Sequence, residues 1–521
     1  MKKIYSVSVL LICTAIAFIP GCKTDQAIYK VPAPDYWPTS GWQTSTPEKQ
    51  GMDSEKITDL IEFIQVNAIP VHSLHIVRNG YLITEVYFYP YDGSTVHDIA
   101  SITKSITSIL IGAAINKGLI KDEYVSVKGF FPEYDSLFHD PYKVQMTIKD
   151  LVTMTSGLEL INNDSTSSVF AEATLFNMFN KNDWLQYILK LPAVYRPGLH
   201  FGYNSCNFHL LSIIMSRATH MKMADFARDQ VFEPLGIRDF IWPEDSQGHN
   251  HGWGDLKLRP RDMAKIGFLL LHNGTWDDQQ ILDPEWVKKS AQRQADVPGP
   301  PGDIHIDYSY GWWVISGSIS GIYEANGRGG QHIIIWPQQN LVVVLTGGGF
   351  DQGEIAEHLI ATVNQPGTRP DNKEAYHNLQ DVIKWVGEEP PGLAMVYTSP
   401  LVRTISDKPI ILETNPLGLS RISIKYIDPV YSELKIQKNG IETVTPIRMG
   451  IVYAISQPDD DGLPIGTRGI WMNDTTLSIE INEIANINDY KISVIFSDNT
   501  VVLSVYEPNL FTKPIIIKGN F

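Results

Sequence analysis

Three short stretches of this chain carry side chains whose types and spacing could do covalent chemistry. Ala100-Ser101-Ile102-Thr103-Lys104-Ser105 holds a serine and a lysine three residues apart. On a helix that spacing puts both side chains on one face, a turn apart. A helix is expected there, because Ile102, Ile106, Ile109, Leu110, Ala113 and Ala114 recur at helical spacing and Gly118 follows Lys117. The N-terminus of such a helix favours negative charge near Ser101. A lysine enclosed by apolar neighbours, here Ile99 and Ile106, gives up or shares its proton more readily than one in water. A lysine within reach of a serine hydroxyl in that condition can activate it as a nucleophile. The spacing alone says little: Ser432-Glu433-Leu434-Lys435 has it too, in a β context, and reads as chance.

The second stretch is Pro197-Gly198-Leu199-His200-Phe201-Gly202-Tyr203-Asn204-Ser205, ahead of an apolar helix through Leu210, Leu211, Ile213 and Ile214. A tyrosine in a tight Pro/Gly turn before a helix can point into a cleft, where a nearby cation lets its phenol shuttle a proton. Alone, Tyr203 would read as a half-buried structural residue. The third stretch, Asn326-Gly327-Arg328-Gly329-Gly330-Gln331, leads into the apolar run His332 to Trp336. Glycines such as Gly327 and Gly329 at a strand entry let a substrate approach the backbone closely. A backbone N–H there, paired with that of Ser101, could hold an oxyanion. His249-Asn250-His251 with Asp255 has a faint look of a metal site, but two histidines in a Gly-rich loop are more often plain loop polars, and no metal is expected.

These stretches need a frame. His75 to Arg78, Asn79-Gly80 and Tyr81 to Val86 read as a hairpin with an Asn-Gly turn. Pro260 to His272 reads as a helix opened by proline and closed by Asn273-Gly274, and His332 to Trp336 with Leu341 to Leu345 as a buried hairpin. The expected units are a catalytic domain over 48–366, a Pro/Gly-rich linker over 367–397 with a short amphipathic helix near Ala375 to Trp385, and a small all-β sandwich or barrel over 398–521. The strand signals of the last unit include Ile422 to Ile427, Leu434 to Thr443, Thr476 to Ile481, Lys491 to Phe496 and Val501 to Tyr506.

With 521 residues, 43% hydrophobic and 19% charged, the chain can bury a sizeable core and falls outside the disordered class. A formal charge of −16 with no basic stripe disfavours nucleic-acid binding. Lys2 and Lys3 followed by an apolar run from Val7 to Ile19 form an export signal too short to be a comfortable membrane span. The run ends at Ile19-Pro20-Gly21-Cys22, which resembles a bacterial lipobox. That likeness implies a signal peptide over 1–22, lipid on Cys22, a Pro-dotted tether over 23–47 and a chain anchored to a bacterial membrane. Of the three cysteines, Cys13 would leave with the signal and Cys206 would have no partner within the chain.

Together the three stretches resemble the class C β-lactamase and penicillin-binding esterase family of serine hydrolases. Further text agrees in family order. His75 to Glu85 looks like the opening hairpin, and Thr147-Ile148-Lys149-Asp150-Leu151-Val152-Thr153-Met154-Thr155-Ser156-Gly157 like the segment before the cleft. Leu258 to Gly267 resembles the helix after the second motif, and Tyr310-Gly311-Trp312 also fits. The resemblance spans about residues 50–365 and implies an α/β (α+β) transpeptidase-like fold, an antiparallel sheet flanked by helices with a helical subdomain. It implies Ser101 as the acylated nucleophile, Lys104 and Tyr203 sharing acid and base work, and the N–H groups of Ser101 and Arg328 as the oxyanion hole. Ser205, Gly327 and Gly329 would face substrate, and no cofactor is implied.

Two departures bear on the substrate, which the resemblance gives as a small ester or amide. Ser205 stands where the lactamase second motif has Asn, and Asn326-Gly327-Arg328-Gly329 offers no Lys where the third motif begins Lys-Thr-Gly. Both argue against efficient β-lactam hydrolysis and toward the branch of esterases and linear-amide hydrolases that includes 6-aminohexanoate-dimer hydrolase. A D-alanyl peptidase or weak β-lactamase is the alternative enzyme, and a binding module that kept the fold the non-enzymatic one. Arg328 could meet a substrate carboxylate, and Trp312, Trp313 and Trp336 could wall a cleft or be core.

Overall fold

The computed structural model describes residues 31–160, 173–299, 304–317, 321–363, 367–392, 397–456, 463–511 and 513–521. The expected export signal, Cys22 and the first part of the expected tether therefore lie outside the described residues. Among the described residues no helix is long and apolar enough to cross a membrane.

Among the described residues the first sheet has seven strands, in the order Tyr81–Tyr87, Val71–Arg78, Leu341–Gly347, Gln331–Trp336, Ile322–Gly327, Trp313–Gly317 and Ile304–Tyr308. Every pairing is antiparallel. Its central strands are continuous apolar runs because helices cover both faces: Leu341–Gly347 is buried at every position. On one face lie Pro260–Leu271 and the nucleophile helix Ile102–Asn116, and Gly267 is small because a Cβ there would meet Val342 and Ile333. On the other face lie Ser54–Val66 and Lys373–Gly387, whose Leu379, Val382 and Val386 share a core with Ile57, Leu60, Ile61, Leu74 and Val343. That second helix was expected inside a linker. Its apolar stripe is instead one wall of the catalytic domain, because burying several large side chains at about 1.5–3 kcal/mol each outweighs its Pro-rich flanks.

The described part of the expected tether is also packed. Trp37 lies against Phe268, His272 and Trp276, Trp42 Nε1 donates to Arg261 O at 3.1 Å, and Leu82 N donates to Gln43 O at 2.9 Å. Two tryptophans supply enough apolar area to dock a segment whose prolines suggested a free spacer.

A helical subdomain carries Ile148–Val152, Ala173–Phe179, Trp184–Lys190 and Ser205–Thr219. The C-terminal unit is a barrel rather than a sandwich. Its strands run Ile441–Met449, Tyr431–Lys438, Leu419–Tyr426, Ile410–Leu412, Ile515–Asn520, Thr500–Tyr506, Asp489–Ser497, Thr476–Glu483, Ile465–Trp471 and Ala454–Ile455. A parallel pairing of Arg448 and Met449 with Arg468 and Gly469 joins the first strand to the ninth and closes the ring. Closure removes most of the exposed edge that these strands would otherwise present. Its own core includes Leu434, Ile447, Trp471, Leu477, Val494 and Phe496.

Candidate active site

Ser101 is the N-cap of Ile102–Asn116, and its hydroxyl makes no capping bond to that helix. It instead accepts a hydrogen bond from Lys104 Nζ at 2.9 Å. Ala100, just before it, has φ +46°, a left-handed conformation that L residues other than glycine adopt rarely. The Asp98 carboxylate holds this turn by accepting from Ala100 N at 2.7 Å. Backbone bent in this way turns the serine out of the strand–helix junction while leaving its N–H at the helix start.

Lys104 is 1% exposed. A second N–H of Nζ donates to Trp253 O at 2.9 Å, and Nζ lies 4.9 Å from the centre of the Tyr203 ring. The loop that brings Trp253 is tied to the nucleophile helix, with Thr107 Oγ1 donating to Gly252 O at 2.8 Å, Leu256 N to Thr103 Oγ1 at 3.3 Å and Ile99 N to Leu256 O at 3.0 Å. The Trp253 ring stacks on His251 and packs against Phe179. Sequence reasoning missed Trp253, since a backbone acceptor leaves no trace in side-chain type.

Tyr203 is buried, its ring stacked on Trp313 at 5.7 Å and edge-on to Tyr308. The segment Thr147–Gly157 supports its turn. Gly202 N donates to Met154 O at 2.8 Å, Gly198 N to Thr155 O at 2.8 Å, and Asn204 N to Met154 Sδ at 3.3 Å. Asn204 caps Ser205–Thr219 by accepting from Cys206 N, and Ser205 is buried in the first turn. Cys206 is buried, and its thiol donates to Met178 Sδ at 3.8 Å. From behind, Ser105 Oγ donates to Gly311 O at 2.6 Å, so Tyr310-Gly311-Trp312 packs on the far side of the nucleophile helix. Trp312 is wholly buried beside Tyr323, and Trp336 packs in the core on the other face of the sheet. Trp313, by contrast, stacks on Tyr203.

The Gly-rich stretch forms the turn between Ile322–Gly327 and Gln331–Trp336 and lies against the nucleophile. A Cβ on Gly327 would stand 2.6 Å from Ile99 O and 3.1 Å from the Ala100 Cβ. Gly329 has φ +88°, and a Cβ there would meet Ile487 Cγ2 of the barrel at 2.2 Å. Arg328, between them, is exposed, and its Nη1 reaches Asn488 Oδ1 at 3.4 Å. Gln331 locks the turn, donating from Nε2 to Gly347 O at 2.7 Å and accepting from Gly347 N at 3.1 Å.

The histidines of the loop do not converge. His251 Nδ1 bonds Asp255 at 2.8 Å, while His209 and His249 both bond Asp245. Among the described residues no group of three or more His, Cys, Asp or Glu could hold a metal ion.

A buried relay leads into Asp98 from the barrel. His97 Nδ1 faces Asp98 O at 2.8 Å and so carries the proton; its Nε2 then accepts from His72 Nδ1 at 2.8 Å. His72 Nε2 accepts from Tyr91 Oη at 2.8 Å, and the phenol oxygen accepts from Asn482 Nδ2 at 2.9 Å. Each step fixes the next, and both imidazoles are neutral. Burial pushes His97 down to about 4 and His72 well below its ordinary value. Burial also pushes the Asp98 carboxyl up, opposed by the charges of Lys257 and Arg328.

A model of the beta-lactamase family matches residues 59–362. The chain belongs to that family, and by class it is a serine hydrolase. Among curated proteins it is similar to 6-aminohexanoate-dimer hydrolase of Paenarthrobacter ureafaciens, at 21% identity over 52% of this chain and 70% of that protein. It is also similar to penicillin-binding protein 4* of Bacillus subtilis, at 22% identity over 43% of this chain and 53% of that one, so the match spans about half of that relative. Among solved structures, the octameric penicillin-binding protein homologue from Pyrococcus abyssi aligns with a TM-score of 0.47 and 17% identity, over 89% of this chain and 100% of the other.

Proposed function

We propose that the protein hydrolyses a small ester or linear amide through an acyl-enzyme on Ser101. The observation that carries this reading is the 2.9 Å contact between Lys104 Nζ and Ser101 Oγ, made by a lysine that is 1% exposed. In the acylation step Lys104, in its neutral form, takes the hydroxyl proton as Oγ bonds to the substrate carbonyl carbon. The carbonyl π electrons move to oxygen, where the N–H groups of Ser101 and Arg328 stabilise the charge. Tyr203, beside Lys104, passes its proton to the departing alcohol or amine as the carbon–heteroatom bond breaks, and takes one back from the protonated Lys104. Water then attacks the acyl carbon, giving its proton to the neutral Lys104, and the carbon–Oγ bond breaks as Tyr203 returns a proton to Ser101 Oγ. Support for an ester or linear amide over a β-lactam comes from Ser205 in the second motif and from the lack of a lysine in Asn326–Gly329.

The test is hydrolysis of a short-chain aryl ester alongside a penicillin, by wild type and by Ser101→Ala. Ester turnover that vanishes in the variant is expected. Faster turnover of penicillin than of the ester would reverse the substrate assignment, and a folded wild type that cleaves neither would remove the enzymatic one. Export and lipid attachment at Cys22 are part of the same reading, supported by Lys2, Lys3 and the apolar run ending at Gly21-Cys22. Radiolabelled palmitate incorporated into wild type and absent from Cys22→Ala is the expected result; equal labelling, or none in either, would oppose it.

A further inference from the structure

The tip of a β-hairpin ordinarily carries polar residues, because it faces water. The tip between Thr476–Glu483 and Asp489–Ser497 of the barrel carries Ile484, Ala485 and Ile487 instead, and all three are buried. They are buried because the tip is seated on the catalytic domain, on both sides of the nucleophile.

On one side, Asp98 N donates to Ala485 O at 2.8 Å. Lys257 Nζ donates to Asn486 Oδ1 and lies 3.9 Å from the Asp98 carboxylate, which holds Ala100 N immediately before Ser101. The carbonyl of Asp98 meets the barrel as well, through the His97–His72–Tyr91 relay to Asn482. On the other side, Ile487 packs against Gly329 and Asn488 Oδ1 faces Arg328 Nη1 at 3.4 Å.

One carboxylate links the two sides. Glu483 Oε2 accepts from Asn486 Nδ2 at 3.2 Å and from Asn488 Nδ2 at 3.1 Å. A carboxylate only accepts, and lysine and arginine only donate. Glu483 therefore dictates that each amide turns its nitrogen inward and its oxygen outward, toward Lys257 in one case and Arg328 in the other. The loop also closes on itself, Asn486 N donating to Glu483 O at 2.7 Å and Glu483 N to Asn488 O at 3.2 Å.

We propose that Glu483, Asn486 and Asn488 are positioning residues for the oxyanion hole, by which the barrel sets the spacing between the Asp98–Ser101 turn and the Gly327–Gly329 turn. The proposal rests on the hydrolase reading above. It assigns the barrel a part in the chemistry at a distance: the barrel residues named above bond the two turns, and both N–H donors sit on those turns. Misplacement of such donors by a fraction of an ångström to an ångström lowers rate far more than affinity.

The experiment uses the full chain. Glu483→Ala, Glu483→Gln and wild type are compared for kcat and KM on a short-chain aryl ester and for the second-order rate of labelling by a fluorophosphonate, which also places a charged oxygen in the hole. In Glu483→Ala, kcat and labelling rate are expected to fall together by about 10–100-fold with KM changed by less than about threefold. Glu483→Gln, whose amide oxygen can still accept from both asparagines, is expected to restore most of both. A folded Glu483→Ala with wild-type kcat, or a loss that Gln does not restore, overturns the proposal. Should Glu483→Ala not fold, Asn488→Ala carries the test, with a loss in kcat of about threefold or more in its favour and wild-type kcat against it. A wild type that neither labels nor turns over defeats the hydrolase reading itself; an active wild type with unaltered variants defeats this proposal alone.

Discussion

The chain holds the same four-residue spacing in two places, and its two domains treat it in opposite ways. Ser101 and Lys104 stand one helical turn apart, and Nζ reaches Oγ at 2.9 Å. Ser432 and Lys435 stand on the strand Tyr431–Lys438, where successive side chains alternate and residues an odd number apart face opposite sides of the sheet. Ser432 points inward and is buried, while Lys435 turns outward to Asp407 Oδ1 at 3.2 Å. The comparison teaches that serine and lysine in this spacing do chemistry only where the backbone makes them neighbours. Even then the helix is only the beginning, since Trp253 O, the Tyr203 ring and the Asp98 carboxylate complete the setting.

The largest effect expected of breaking the contrast is at the helix. Ser101→Ala should lower aryl-ester turnover by about 10⁴-fold or more, leaving only what binding and the oxyanion donors supply. Lys104→Ala should cost about 10²–10⁴-fold, as the loss of a general base, with the far-ultraviolet circular dichroism of the wild type retained. Gly329→Ala sharpens the comparison between the helix and the turn that faces it. The added Cβ would both strain a φ of +88° and drive into Ile487, so a loss of about 1–3 kcal/mol in stability is expected by urea unfolding, together with reduced turnover. An unchanged midpoint would mean the barrel loop does not pack against Gly329.

Acid separates the two sites more gently. His97 ordinarily titrates at 6.5 and is held down to about 4 by burial, so the folded state binds fewer protons than the unfolded state between those values. Its contribution to stability is complete above about pH 6.5 and is lost as the pH falls toward 4. Asp489, pushed up to about 6 by burial, works in the opposite sense. The comparison is therefore between wild type and His97→Gln: the wild type should lose Tm more steeply between pH 6.5 and pH 4.5, and parallel slopes would count against a neutral buried relay. The smallest effect is at the strand. Lys435→Ala removes a partly exposed ion pair of the kind that contributes about 0–1 kcal/mol, and neither it nor Ser432→Ala should change turnover by more than about twofold.

Much of this was legible in the sequence. Helical spacing found the nucleophile helix, Asn-Gly found the first hairpin, and short β runs found the barrel strands Leu419–Tyr426, Tyr431–Lys438, Thr476–Glu483, Asp489–Ser497 and Thr500–Tyr506, but not Ile465–Trp471, where Gly466 and Gly469 interrupt the apolar pattern, nor Ile410–Leu412, which carries too few residues to show a period. The segments misjudged were those where proline masked an apolar payload: Trp37 and Trp42 in the supposed tether, and Leu379, Val382 and Val386 in the supposed linker. The barrel's hold on the site was hidden for a different reason. Ile484-Ala485-Asn486-Ile487 is an apolar hairpin tip, a visible anomaly, but nothing in a sequence says which surface such a tip covers. The carbonyl of Trp253 had no sequence signal at all.

The central claim is that Ser101, and not its counterpart in the barrel, is an activated nucleophile. Peptide mapping by mass spectrometry after fluorophosphonate treatment tests it most directly. The account predicts one adduct, on Ser101, absent from Ser101→Ala and undiminished in Ser432→Ala. A folded protein that acquires no adduct, or acquires it on any other serine, would contradict it.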